Sequence, residues 1–476
     1  MPQAQGLKKK VYSGEFYLAL RQLLSTGLSL IGVIVLARLL GPENYGMVVV
    51  TVGVFFFIAG FSSLGLNAYL VRQPELPENG VEQILAFYNT AGVLFCGLVW
   101  LIAPAIGALV GEPTIGLLLQ YMVPAIWFYM VANVSISMLE RDLRFAEVSW
   151  IETLALAANY GSSIPLVLIY KSYWGPVAGF MVQFLLMAAL SHYCYPIAWR
   201  WRWQWSVIHE ALRQSLSLSS AHSVLLLRGL TIPLLVGRLA GIEAAGFVSI
   251  AIHFADTLAV LRLAIRRTSV NMIARISQNL EAIRALLGQG ITFQIILVGP
   301  LLALFTCCAV WLVPLLLGSE WSLSVRVFPL IAIAALVSAA FDLHASTLYA
   351  IGENKAVVQF NILYIAILWL VSWLTLATLG AWGYGIAEIA ALPAYFLMHY
   401  LLTRKCGSPN YWDSFWVVIA TLPSLLSGAW ISAALGFVFL VAGYALLFYL
   451  RPTIRRMMRT LYVLARSQTK QLAGVR

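Results

Sequence analysis

Residues 38–46 read RLLGPENYG, and residues 238–246 read RLAGIEAAG. Five identities recur at a constant offset of 200: Arg38 and Arg238, Leu39 and Leu239, Gly41 and Gly241, Glu43 and Glu243, Gly46 and Gly246. Each copy lies between two long apolar runs. Helix-end chemistry accounts for the order of residues. A cation suits the C-terminal end of one helix, and an acid suits the start of the next. The middle glycine permits the turn between them, and the last glycine lets two helices approach closely. A functional reading is compatible with this one: both hairpins line the outer mouth of a shared cavity.

Outward from the repeat, the composition places the chain in a membrane. Hydrophobic residues make up 61% of it and charged residues only 10%, with a mean hydropathy of +0.86. Soluble domains carry about 25% charged residues. Hydropathy marks about fourteen stretches long enough to cross a bilayer, from 14–38 to 432–450. The first is preceded by Lys8, Lys9 and Lys10; it is too long for a cleaved signal peptide and reads as a retained helix. The five cysteines form no CxxC or histidine-spaced pattern, so no metal, cofactor or disulfide framework is expected.

Charge placement sets the expected orientation. With the N-terminus in the cytoplasm and the spans alternating, 24 of the 30 lysines and arginines fall on the cytoplasmic side. Four (Arg38, Lys171, Arg238 and Arg326) fall outside, and Arg21 and Arg228 fall within spans. Such a bias is the positive-inside pattern. It puts both termini in the cytoplasm and turns the net charge of +11 toward anionic lipid, not toward nucleic acid.

Six spans separate the two motif copies, an even number, so both copies lie on one face. The expected fold is an all-α polytopic membrane protein of two six-helix halves in parallel repeat, plus two C-terminal helices. The halves span 1–198 and 214–405, joined by a linker at 199–213; the extra helices occupy 406–450 and a basic tail 451–476. The linker begins WRWRWQW (199–205), which reads as an interfacial anchor of tryptophan and snorkelling arginine. Repeats of this kind are common in transporters that hold substrate between halves.

The motif with its context, ARLLGPENYG and LGLNAYLVRQPE (64–75), resembles the bacterial lipid-linked oligosaccharide flippases. These are polysaccharide transporters of the superfamily that also holds multidrug exporters and the lipid II flippase. LERDLRFAEVSWIET (139–153) and LLGSEWSLSVRVFPLI (316–331) are similar to further segments of that family, in the same order. The resemblance implies a non-enzymatic function at the bacterial inner membrane. An undecaprenyl-diphosphate-linked oligosaccharide would be moved from the cytoplasmic to the outer leaflet for exopolysaccharide, O-antigen or capsule assembly. Other polysaccharide assembly proteins are candidate partners. The alternative is an ion-coupled multidrug exporter of the same superfamily.

Ionisable groups within spans mark candidate sites. Arg21 heads a stripe with Gln22, Ser25 and Ser29, spaced to share one helix face. Arg21, Gln22 and Ser25 are expected to meet the substrate, with Arg228 from the second half; arginine suits a diphosphate. Equal counting from the second hairpin places Arg228 and Asp256 at similar depth, as an expected pair. Asp256, His253 on the same face, Asp342 and Glu388 are candidates for coupling to an ion gradient, with Glu388 expected near the outer surface and hydrated. His344 also falls within a span. A serine-rich segment at 215–223 reads as interhelical hydrogen bonding in preference to a polar path. No Walker A sequence, metal diad or nucleophile–base pair is present.

Overall fold

The computed structural model describes residues 2–200, 204–260, 262 and 279–459, and within these the side chains of all but residues 2–21, 23 and 216–223. The helices in order are α1 (Pro2–Ser62), α2 (Leu66–Arg72), α3 (Gly80–Val110), α4 (Pro113–Arg141), α5 (Phe145–Tyr170), α6 (Trp174–Cys194), α7 (Trp205–Gly229), α8 (Ile242–Leu258), α9 (Leu280–Leu316), α10 (Ser322–Ala350), α11 (Asn354–Leu379), α12 (Ala381–Ala391), α13 (Ala394–Cys406), α14 (Trp412–Trp430) and α15 (Ala433–Leu450). A π-helix, Thr231–Ala240, continues α7 to the second motif. The described residues contain no strand.

Helical residues occupy every one of the fourteen expected stretches. Among the described residues, ten helices are long and apolar enough to cross a membrane, and the first of these, Leu24–Ser62, takes in parts of the first two expected stretches, 14–38 and 46–71. Large apolar side chains cover the outside: on α3, Leu94 is 72% exposed and Leu101 69%. In water such a surface would aggregate; in lipid it is the required one.

The two motif copies take the conformation their glycines allow. Gly41 (φ 72°) breaks α1 into two segments, and Pro42 opens the second. Gly241 (φ 94°) separates the π-helix from α8. Both torsions lie where a side chain is strained. Proline at a first helical position costs nothing, because its missing N–H would have no partner there.

The chain divides into two compact units, Met1–Ser249 with Ser372–Ala381 and Ile250–Val371 with Trp382–Arg476. In the first unit α5 packs on α6, α3 on α4, and α1 on α5 and α7. In the second, α9 packs on α10 and α14, and α14 on α15. Of the linker, residues 201–203 lie outside the described residues, and helix begins at Trp205. Helix α7 therefore starts nine residues before the expected span at 214. Arg213 and Gln214 both donate to Glu210 Oε1, at 3.0 and 2.7 Å. These bonds hold the Glu210 carboxyl below its usual range.

Candidate functional site

The hairpin motifs meet within the first unit. A Cβ at Gly46 would collide with the main-chain oxygen of Ile242, and one at Gly246 would lie 2.5 Å from the oxygen of Pro42. Each copy's last glycine thus receives the carbonyl that opens the other copy's helix. Beyond the crossing, Gly53 faces Pro233 and Gly60 faces Leu226, so α1 runs down the seventh helix and its π extension. Glu43 and Glu243 are exposed on the first turns of their helices. Arg38 is exposed as well. Arg238 does not close its own helix: it donates to Ala108 O at 3.2 Å, in the last turn of α3. A cation there meets the negative end of a different helix dipole.

Arg228 lies in the last turn of α7, exposed, where α-helix gives way to π-helix. Thr231 donates to its carbonyl at 2.8 Å. Long π-helices are rare, and π segments often mark functional positions. The apolar pattern gave no sign of it, since 214–237 reads as one uninterrupted span. On α1, the side chain of Arg21 lies outside the described residues. Gln22 donates to Thr26 at 3.3 Å, one turn on in its own helix. Ser25 is half-buried, and Ser29 accepts from Tyr160 of α5 at 3.4 Å. Of the serine-rich segment, Ser215 donates to Leu64 O at 2.9 Å, and the side chains of 216–223 lie outside the described residues.

The second unit gathers the acids differently from a row of independent sites. Arg262, past a turn at the end of α8, reaches Asp256 at 3.3 Å and Asp342 of α10 at 3.5 Å. Its carbonyl accepts from Gln294 of α9 at 3.5 Å. Arg262 is the residue that sequence reasoning missed: the turn at 259–260 and a tertiary contact bring it to two acids. His253 is half-buried, and its Nε2 is buried with no hydrogen bond.

Glu388 overturns one expectation. It is not hydrated at the outer surface but 3% exposed. Tyr364 of α11 donates to its Oε2 at 2.5 Å, and Tyr384, one turn earlier in α12, to its Oε1 at 2.6 Å. The Tyr384–Glu388 spacing of four was visible in the sequence; Tyr364 was not. Tyr364 packs edge-on against Tyr395, which stacks on Phe341, which packs on His344. His344 Nε2 then shares the Tyr411 hydroxyl (2.5 Å) with His399 Nδ1 (2.9 Å). One continuous chain of rings and hydroxyls therefore runs from Glu388 to the segment before α14.

The segments that carried the family resemblance have structural roles. Arg141 donates to the carbonyls of Leu70 (2.8 Å), Gln73 (2.6 Å) and Pro74 (2.9 Å), closing the end of α2. Arg144 pairs with Glu147 through two bonds, at 2.7 and 2.5 Å, and reaches the Cys194 carbonyl at the end of α6. Tyr88 holds the turn at Ser63 and Asn67. Trp321 is fully buried.

Kinked membrane helices, paired motifs and acids within spans define a multi-pass transporter fold. Two solved structures share it. A lipid II flippase, MurJ, in an inward closed conformation, superposes with a TM-score of 0.70 at 11% identity, covering 92% of this chain and 99% of that one. An inward-facing multidrug resistance MATE family transporter gives 0.63 at 13% identity, covering 80% and 95%. The family model for polysaccharide biosynthesis proteins matches residues 35–326, more than half of the chain, and the protein belongs to that family. Lipopolysaccharide biosynthesis protein WzxC of Escherichia coli K12 is 21% identical over 359 residues, 75% of this chain and 73% of that one. Succinoglycan biosynthesis transport protein ExoT of Rhizobium meliloti is 27% identical over 161 residues, 34% of this chain and 32% of that one.

Proposed function

We propose that the protein is a flippase. It moves an undecaprenyl-diphosphate-linked oligosaccharide repeat unit from the cytoplasmic to the outer leaflet of the bacterial inner membrane. The product feeds exopolysaccharide, O-antigen or capsule assembly. The observation that carries this reading is the match to WzxC, a lipopolysaccharide biosynthesis protein, along three-quarters of the chain. The MurJ-like fold supports it. Both termini face the cytoplasm in this reading, as the basic residues suggest, and no bond-making chemistry is assigned to the chain.

Arg21 and Arg228 contact the diphosphate, with Gln22 and Ser25 beside Arg21 offering polar partners. The charge of a diphosphate has to stay partnered while it crosses hydrocarbon, and guanidinium is the side chain best suited to that. The paired hairpins close the outer mouth, and the two repeat halves move to open each face in turn. Glu388 is the first choice for ion coupling. Its carboxyl is buried and held by two phenols, so a proton can be gained or lost without the side chain leaving its cage. Asp256 and Asp342 share Arg262 and come second, with His253 beside Asp256.

An ion-coupled multidrug exporter is the alternative, favoured by the same buried acid and by the MATE neighbour. Reconstitution into liposomes holding a labelled diphosphate-linked oligosaccharide lipid decides between them. Transport requires label to cross between leaflets faster than in empty liposomes, and Arg228→Ala, still folded, to lose that rate. No crossing under any imposed gradient with the cognate lipid sinks the flippase reading.

A further inference from the structure

In the second unit α15 ends at Leu450, and the backbone at Arg451 is extended. Helix resumes over 452–459, opened by Pro452. From Arg451 onward the sequence carries seven lysines and arginines and no acid. A cluster of about four to eight cations just past a spanning helix suits anionic lipid.

Two of these cations are held in place. The Arg451 guanidinium lies 5.3 Å from the ring centre of Trp412 and 5.2 Å from that of Trp416, in the first two turns of α14. These contacts leave its N–H groups unused: among the described residues the guanidinium makes no hydrogen bond and pairs with no acid. Arg455 donates from Nε to Phe448 O at 2.9 Å and from Nη2 to Tyr449 O at 2.6 Å, closing the end of α15. A guanidinium has five N–H donors, so Arg455 keeps a donating edge as well. The indole N–H of Trp416 is buried without an acceptor. Donors are in surplus at this end of the unit, and a surplus of charged donors calls for an anion.

The surroundings narrow the anion. Beside the arginines stand exposed apolar side chains: Trp412 at 57%, Tyr449 at 76% and Leu450 at 59%. Aromatic rings at a span end mark the headgroup level of a bilayer. Free phosphate or a nucleic acid would satisfy the guanidinium groups and leave this collar in water. A phospholipid meets both needs, with its phosphate oxygens on arginine and its acyl chains on the collar. Its headgroup has to be anionic overall. Indole faces could hold a quaternary ammonium such as choline, but here Arg451 already occupies them.

We propose that Arg451 and Arg455, with the collar of Trp412, Tyr449 and Leu450, bind one anionic phospholipid by its phosphate at the end of the last spanning helix. The site is independent of the cargo and stands or falls apart from the flippase reading.

Native mass spectrometry of the full-length protein, titrated in detergent with phosphatidylglycerol or phosphatidylcholine, tests it. One phosphatidylglycerol per chain is expected to bind about tenfold or more tightly than phosphatidylcholine, and Arg451→Gln to abolish that margin. Lys355→Gln removes an exposed cation elsewhere in the second unit and keeps the margin. Equal binding of the two lipids overturns the proposal, as does Arg451→Gln binding like wild type. An equal loss in Lys355→Gln overturns it too, because charge count alone would then set the affinity. Displacement by inorganic phosphate makes the ligand a free anion, and displacement by a polyprenyl diphosphate at far lower concentration makes the site one for cargo; either result sinks the phospholipid. Where Arg451→Gln does not fold, brominated lipids decide. Brominated phosphatidylglycerol has to quench tryptophan fluorescence more than brominated phosphatidylcholine, and Trp412→Phe has to remove the difference; equal quenching overturns the proposal.

Discussion

Gly46 and Gly246 hold equivalent places in two copies of one motif, and each packs against the main-chain oxygen that opens the helix of the other: Ile242 O for Gly46 and Pro42 O for Gly246. A reciprocal contact of this kind leaves no room for a β-carbon on either side. The repeat in the sequence is therefore also an interface in the fold.

The first prediction concerns that contact. Gly46→Ala and Gly246→Ala each force the crossing apart and lower stability by about 1–3 kcal/mol, the usual cost of overpacking. Gly27→Ala, with nothing within 4 Å of its added carbon, is the control and leaves stability unchanged or slightly raised. Thermal unfolding in detergent measures all three. Equal melting temperatures for the control and the two motif variants would show that the crossing yields without strain.

Glu388 gives the second. Glu388→Gln keeps an acceptor for one phenol but cannot change charge. If this group couples transport to a proton gradient, the variant folds and loses the gradient dependence of lipid crossing. Tyr364→Phe and Tyr384→Phe each remove one hydrogen bond to a carboxylate, a loss of about 1.5–3 kcal/mol. Transport that responds to the gradient as before in Glu388→Gln would move the coupling role elsewhere.

Tyr411→Phe is the third. The hydroxyl it removes serves both His344, which is fully buried, and His399. Stability should fall by about 1–3 kcal/mol, because two imidazoles are left short of a partner. Chemical unfolding followed by tryptophan fluorescence reads this, and a shift below the error of replicate curves would show that water replaces the hydroxyl.

Fourth, Arg141→Lys should behave nearly like Arg141→Ala. The native side chain forks to three carbonyls at residues 70, 73 and 74, a geometry that a point-like ammonium cannot copy. Limited proteolysis of the 73–79 loop is the readout. Protection restored by lysine would make charge, not shape, the active property.

Much of this fold was legible because lipid imposes simple rules. Twenty apolar residues mark a crossing, and each stretch so marked holds helix among its described residues. The break at Gly41 and Gly241 and the close approach at Gly46 and Gly246 were written in the motif itself. What escaped was whatever depends on pairing between distant segments. Arg262 meets Asp342 from 80 positions away, and Tyr411 meets His344 from 67. Hydropathy places helices at depth but says nothing of their rotation. For that reason Glu388 was expected in water and lies between two phenols.

The π-helix that leads into the second motif, and holds its first three residues, bears on how the two copies are compared. It closes its hydrogen bonds over one more residue per step than an α-helix does, whereas α1 keeps α-helical winding up to Gly41. The offset of 200 thus pairs like conformations at Gly41 and Gly241 but unlike windings in the ten residues before them. A turn of π-helix takes in more residues than a turn of α-helix, so the residues before Gly241 and those before Gly41 face their surroundings in different orders, and matching letters there do not mean matching contacts.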